Sequence, residues 1–349
     1  MSGGVDSAVA GLLLLDQGYD VVGVTLQLAD LSEQGLGVSR CCSPADVTTA
    51  RDVAAKLGIA HYALDFEDVF RREVVDPFVA AYLSGSTPSP CVRCNSRVKF
   101  GELLPVANQL GCDLLASGHY ARLQRRSGAA ELYRAADGAK DQSYFLFELS
   151  PAQLDRLVLP LGGLSKAEVR VRACAAGLPN ADRRDSQEVC FVPPGGSYVD
   201  VIERLAPDRL PGRGDLVDAA GRVVGSHGGF HRYTPGQRRG LGVAGRDRTY
   251  VRAIDPAHNR VVVGPDDALV HRAIELEGTN WLQHVDDAFA AEVQVRSRHE
   301  AEPATVSITG PATARVEFPA GVRAPAPGQA AVCYRGDRVL GGGWIVAVL

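Results

Sequence analysis

The sequence predicts an α/β protein in which a doubly wound parallel sheet is followed by a small central domain and a C-terminal β-barrel. Two observations carry this prediction. In the first half, apolar runs of strand length alternate with helical stretches that stop at Gly, the pattern of a parallel sheet covered by crossover helices on both faces. After about Cys190 the composition shifts, with Pro193, Pro194, Gly195 and Gly196 in succession, and from Gly212 short β-like runs alternate with Gly and Pro turns. Many short strands at that spacing suggest a small barrel or sandwich. A chain of 349 residues exceeds what one core usually serves, and the predicted domains are 1–197, 198–268 and 269–349.

Each element has its own warrant. Residues 8–17 carry a helical apolar pattern, with Ser7 as N-cap and Gly18 as the stop. A buried strand follows over 21–28. The next unit is a helix over 43–57 closed by Gly58 and a strand over 59–66, and residues 106–110, Gly111 and 114–117 repeat the scheme. Another amphipathic helix, 166–176, ends at Gly177. From residue 273 the pattern is nearly all strand, with runs at 291–295, 304–308, 313–318, 330–334 and 344–349.

Composition excludes several classes. With 46% hydrophobic and 22% charged residues the chain is an ordinary globular protein. It has no apolar run long enough to span a membrane and no basic-then-apolar start like a signal peptide, so a cytoplasmic protein is expected. Eight cysteines are too sparse for a disulfide scaffold, so their positions matter more than their number. The net charge of −4 gives no global attraction to nucleic acid, which leaves a local basic surface as the route to it. Arg greatly outnumbers Lys, which occurs only at Lys56, Lys99, Lys140 and Lys166.

The stretch S-G-G-V-D-S, formed by Ser2, Gly3, Gly4, Val5, Asp6 and Ser7, reads as a phosphate-gripping loop. Gly3 and Gly4 let consecutive N–H groups converge on an anion, and the N-terminus of the following helix adds its positive dipole end. Ser2 and Ser7 supply hydroxyls, and Asp6 could orient Mg²⁺ or its waters. The loop lacks the G-x-x-x-x-G-K-[ST] order of a Walker A motif. Further along, T-P-S-P-C-V-R-C-N at 87–95 places Cys91 and Cys94 in a Pro-rich turn, and Cys190 lies in D-S-Q-E-V-C-F at 185–191. A C-x-x-C pair is also half of a zinc knuckle, but no second pair or spaced His pair completes it.

Taken with C-C-S-P-A-D near Cys41, S-G-H-Y-A-R from Ser117, K-D-Q-S-Y-F-L from Lys140 and H-R-Y-T-P-G-Q-R-R-G-L-G from His231, these strings resemble the bacterial tRNA-specific 2-thiouridylases. These are enzymes of the PP-loop ATP pyrophosphatase superfamily, and the resemblance runs over essentially the whole chain. It departs in two places. P-G-Q-R-R-G stands where I-G-Q-R-K-G or similar is expected, and Cys91 stands where many relatives carry Asp.

The resemblance implies ATP-dependent thiolation of the tRNA wobble uridine. ATP adenylylates uridine O2, and a persulfide on Cys190 then delivers sulfur with Cys94 as the second essential thiol, leaving a transient Cys94–Cys190 disulfide. Three thiols, Cys91, Cys94 and Cys190, could instead hold a 4Fe-4S cluster, as in related tRNA thiolases. By the same resemblance Leu26 and Gly118 border the adenine, Ser89, Pro90 and Cys91 lie by the target base, and His119, Lys140, Asp141, Gln142, Arg296, Ser297, Arg298 and Gln329 contact tRNA, the Arg296 group within the first barrel strands. Arg125, Arg126, Arg183, Arg184, Arg238 and Arg239 are further phosphate candidates. His227 and His231 read as turn or packing residues. ATP and Mg²⁺ are the implied cofactors, and tRNA and a cysteine desulfurase or sulfur-relay protein the implied partners.

Two other readings stand beside this one: another PP-loop enzyme such as a lysidine or amidating synthetase, which would need no paired cysteines, and a nucleotide-binding module without catalysis. Family members also carry an apolar strand before the loop. The expectation is therefore that the natural start lies upstream of Met1 and that an N-terminally extended chain is more stable and more active.

Overall fold

The computed structural model describes residues 1–28, 43–126, 128–183, 189–193, 195–242 and 248–349. Cys41, Cys42, Arg184, residues 185–188 of the Cys190 motif and Pro194 lie outside the described residues. The chain divides into two compact units: Met1–Val75 with Pro90–Ser197 and Asp337–Val339, and Asp76–Ser89 with Tyr198–Gly336 and Leu340–Leu349.

The first unit is built from helices over short parallel strands. Helix α1 spans Val5–Asp16 and is followed by β1, Val22–Gln27. Helix α2, Pro44–Leu57, starts where Ser43 makes a capping box with Asp46, and it stops at Gly58 in the left-handed conformation. Strand β2, Ala60–Asp65, pairs with β1 in parallel, and β3, Leu115–Ala116, pairs in parallel with β6, Leu157–Val158. These are two separate pairs among the described residues. Between β3 and β6 in sequence lies an antiparallel hairpin that the periodicity did not indicate, β4 at Arg122–Arg126 and β5 at Ala129–Tyr133. The helix Lys166–Ala175 is capped by a Ser165–Glu168 box and packs its Val169 and Ala173 against Val5, Ala8 and Val9 of α1 in one buried cluster.

Helix α1 begins three residues earlier than expected, and Gly4, not Ser7, is its N-cap. The reason is local: Ser7 Oγ donates to Gly4 O at 3.0 Å within the first turn, so this hydroxyl serves the turn it sits in.

The second unit holds a four-stranded sheet in the order β8-β7-β10-β9, formed by Gly214–Val217 (β7), Val223–His227 (β8), Tyr250–Asp255 (β9) and Arg260–Gly264 (β10). It also holds a closed barrel of six strands: β11 Val270–Trp281, β12 Ala288–Gln294, β13 Glu302–Gly310, β14 Thr313–Arg323, β15 Ala330–Arg335 and β16 Arg338–Val348. Pairing of β11 with β16 closes it. Its core is the alternate inward set that includes Ile274, Val293, Val306, Val316, Cys333 and Ile345.

Candidate nucleotide and thiol sites

The loop is organised by its own hydroxyls and by two residues from far along the chain. Ser2 N donates to Ser7 Oγ at 3.1 Å, and Gly4 N to Ser2 Oγ at 3.4 Å. Gly3 adopts φ +70°, and a Cβ there would lie 2.8 Å from Asp46 O, so the residue must be Gly on both counts. Its carbonyl accepts from Asn180 Nδ2 at 2.8 Å and Arg183 Nη1 at 3.3 Å, while Arg183 also pairs with buried Asp46 at the start of α2. Gly4 has no side chain to cap α1, and no side-chain cap bond is made. The first-turn N–H groups thus keep the arrangement that binds anions at a helix N-terminus.

Asp6 is held firmly. Lys166 Nζ donates to its two carboxylate oxygens at 2.7 and 2.8 Å, and Tyr120 OH donates to Oδ1 at 2.7 Å. Lys166 and Tyr120 went unnoticed in the sequence, although one signal pointed to the lysine. It occupies the first position of a helix, where a cation opposes the helix dipole.

Gly118 packs so tightly that a Cβ would stand 2.8 Å from Asp6 C and Ser7 N. Ser2, Asp6, Ser7, Leu26, Lys99, Phe100, Gly118, His119 and Gln142 line one cavity of about 680 Å³ in the first unit. Leu26 and Gly118, expected to border the adenine, thus line the same cavity as the loop. His119 Nδ1 lies 2.6 Å from Ser117 Oγ, and burial with Lys99 nearby pushes its pKa down to about 3. The imidazole is therefore neutral at physiological pH. Gln142 lies on the cavity wall, and its Oε1 accepts from Tyr120 N at 2.9 Å. Asp141 ties its own turn together, accepting from Ala135 N, Ser143 N and Ser143 Oγ and pairing with Arg134 at 3.2 Å. Lys140, beside it, is half-buried.

Cys94 is buried and begins a nine-residue π-helical stretch, Cys94–Glu102, directly after the short helix Pro90–Arg93 that carries half-buried Cys91. Wide π-turns are rare and frequent at functional sites. Here Gln153 Nε2 donates to the Ser96 and Phe100 carbonyls at 3.1 and 2.8 Å, and Asn95 Nδ2 donates to Phe145 O at 3.1 Å. Cys190 is half-buried beside Phe191, whose ring meets Phe70 edge-on at 5.9 Å. Cys91, Cys94 and Cys190 are all thiols here, and none is among the residues lining the cavity.

In the second unit, Arg296, Ser297 and Arg298 lie in a turn just after β12, not within a barrel strand as expected. Buried Gln294 explains the break, since its Nε2 donates to the carbonyls of Arg296 and Ser297 at 3.2 Å each, leaving Ser297 and Arg298 exposed. Ser89 is buried, and Gln329 Nε2 donates to Thr87 O. His227 and His231 are buried as well, with His231 Nε2 3.0 Å from Glu203. Of the other arginine candidates, Arg125 and Arg126 pair with Asp155 and Glu131, while Arg238 and Arg239 are exposed.

An adenine-nucleotide α/β domain joined to two β-rich modules is the class this architecture defines, and family models match it in that order. A tRNA methyl transferase HUP domain covers residues 1–194, a tRNA methyl transferase PRC-barrel domain 200–265, and an aminomethyltransferase β-barrel domain 271–345. The chain belongs to the family of tRNA-specific 2-thiouridylases, tRNA sulfurtransferases. It is 50% identical to the tRNA-specific 2-thiouridylase MnmA of Rhodospirillum centenum, over 99% of this chain and 90% of that one. It is 49% identical to that of Chloroflexus aurantiacus and 46% identical to that of Acidithiobacillus ferrooxidans, each over 99% of this chain and 96% of the relative. Among the described residues no helix is long and apolar enough to cross a membrane.

Proposed function

We propose that the chain thiolates position 2 of the wobble uridine of tRNA at the expense of ATP. The observation that carries the reading is the S-G-G-V-D-S loop, folded as a Gly turn into an uncapped helix N-terminus on the wall of a cavity large enough for a nucleotide. In the first step uridine O2 attacks the α-phosphorus of ATP, pyrophosphate leaves, and O2 becomes part of an AMP leaving group. The loop amides and Lys166 stabilise the negative charge that accumulates on the phosphates. In the second step the terminal sulfur of a Cys190 persulfide bonds to C2, and AMP departs. Cys94 thiolate attacks Cys190 Sγ and breaks the S–S bond, leaving sulfur on the base and a Cys94–Cys190 disulfide that an external dithiol reduces. The persulfide is loaded by a sulfur-donor protein, and the base reaches the thiols by leaving its stack.

For Mg²⁺, the loop offers one carboxylate, and Asp6 already has Lys166 and Tyr120. A magnesium ion fits here as a companion held chiefly by the phosphates, the usual manner of such sites, where it would neutralise their charge. For a 4Fe-4S cluster, no group of three or more His, Cys, Asp or Glu that could hold a metal ion is found among the described residues. No step is routed through one.

The test is mass spectrometry of nucleosides from tRNA incubated with the full chain, ATP and a sulfide or persulfide source. Wild type is expected to yield 2-thiouridine with stoichiometric AMP and pyrophosphate, and Cys94→Ser and Cys190→Ser none. Undiminished product from Cys190→Ser would refute the sulfur route. Nucleotide binding without AMP formation would identify a non-catalytic module instead.

A further inference from the structure

In the second unit the barrel turn before β15 grips an extended segment of the chain. Thr87 N donates to Pro327 O at 2.7 Å. Gln329 Nε2 donates to Thr87 O at 2.8 Å and to Pro88 O at 3.2 Å. The turn is itself fixed to the barrel, because Gly328 N donates to Ile345 O, Ile345 N to Gln329 O, and Gln329 N to Ala326 O. Gly328 adopts φ +90°, and a Cβ there would stand 3.0 Å from the N, C and O of Thr87. The turn is therefore shaped to receive backbone. Pro88 has no N–H to donate, so Thr87 N is the backbone donor of this pair of residues. Only the nitrogen of a Gln amide can donate to a carbonyl, which fixes the amide's orientation and directs its donors inward.

We propose that Gln329 is a positioning residue. Its amide clamps the Thr87 and Pro88 carbonyls, and so holds in place the backbone that leads into buried Ser89, which the family resemblance puts by the target base. This role is separate from the tRNA contact that the resemblance implies for Gln329, and it rests on the thiolation reading above. A misplacement of the order of 1 Å at a reacting base costs much rate with little binding, so the clamp acts on the saturated rate.

The experiment uses the full chain with Gln329→Met, which keeps length and loses both donors, and Gly328→Ala, which leaves Gln329 intact but crowds Thr87. Filter binding gives the tRNA dissociation constant, single turnover at saturating tRNA gives the rate of 2-thiouridine formation, and hydrogen exchange reads the Thr87 amide. Both variants are expected to slow the saturated rate by about tenfold or more, to speed exchange at Thr87, and to leave tRNA affinity within about twofold. Weakened tRNA binding with an unchanged saturated rate would overturn the proposal in favour of direct contact. Unchanged exchange at Thr87 would overturn it too, and so would lost protection across Ala330–Arg335, which would make the residue a prop of the barrel. Absence of 2-thiouridine from wild type would instead sink the thiolation reading, while the exchange result would still judge the clamp.

Discussion

Asp6 and Lys166 show what a residue's neighbours add to a motif. The acid was legible in the S-G-G-V-D-S string, but its partner stands 160 positions away, and only the docking of a later helix on α1 brings the ammonium to it. Replacing Lys166 by Met leaves Asp6 as an uncompensated negative charge beside the phosphate loop. We expect AMP formation to fall by about 10- to 100-fold, with Lys166→Arg retaining part of it, since charge-assisted bonds at such sites are the strong ones. Unchanged AMP formation in Lys166→Met would remove the lysine from the phosphate step. His119 gives a pH prediction. Its pKa is lowered to about 3 by burial first and Lys99 second, so between about pH 3 and 6.5 the unfolded chain binds the proton and the folded one does not. Stability contributed here is present above that window and is lost as pH falls through it. Thermal melts from pH 7 to 4 should decline less steeply in His119→Gln than in wild type, and parallel declines would place the acid sensitivity elsewhere.

At the scale of elements, glycine stop signals were the reliable guide, whereas the one named cap, Ser7, gave way to Gly4. Gly58 closed α2 and Gly177 the helix Lys166–Ala175 as expected, while the structure adds a Ser capping box at the start of each, Ser43 and Ser165. Ser43→Ala should therefore cost about 1 kcal/mol, read as a lower melting temperature. Other elements were hidden for physical reasons. The hairpin strand Arg122–Arg126 is Arg-rich and reads as surface loop, yet Arg122 is anchored through bonds to Arg134 O and Asp337. The π-helical stretch at Cys94 depends on donors such as Gln153, fifty-odd residues on, so no local pattern announces it. Strand β16 runs straight through Gly341, Gly342 and Gly343, which precede the predicted run at 344–349. At Gly341 a Cβ would lie 2.2 Å from Asn280 O, so the glycine marks the close approach of β11, which helps to close the barrel.

For the whole molecule, a net charge of −4 means that tRNA must be held by local basic surface against a mildly repulsive background. Exposed Arg298, Arg238 and Arg239 are available for phosphates, whereas Arg125 and Arg126 are partly committed to acids. Affinity should fall steeply between about 50 and 200 mM salt, and filter binding that hardly changes over that range would show that shape and not charge holds the tRNA. The two β-rich parts of the second unit also differ in how they would fare in a crowded test tube. The barrel has no open rim, but the four-stranded sheet ends on β8, where Val223 is 62% and Val224 38% exposed. An apolar edge strand invites a second chain to add on. Clumping on heating or overexpression should therefore begin at β8, and Val223→Lys should delay turbidity without altering thiolation. If turbidity sets in at the same time in both proteins, the stickiness has another source.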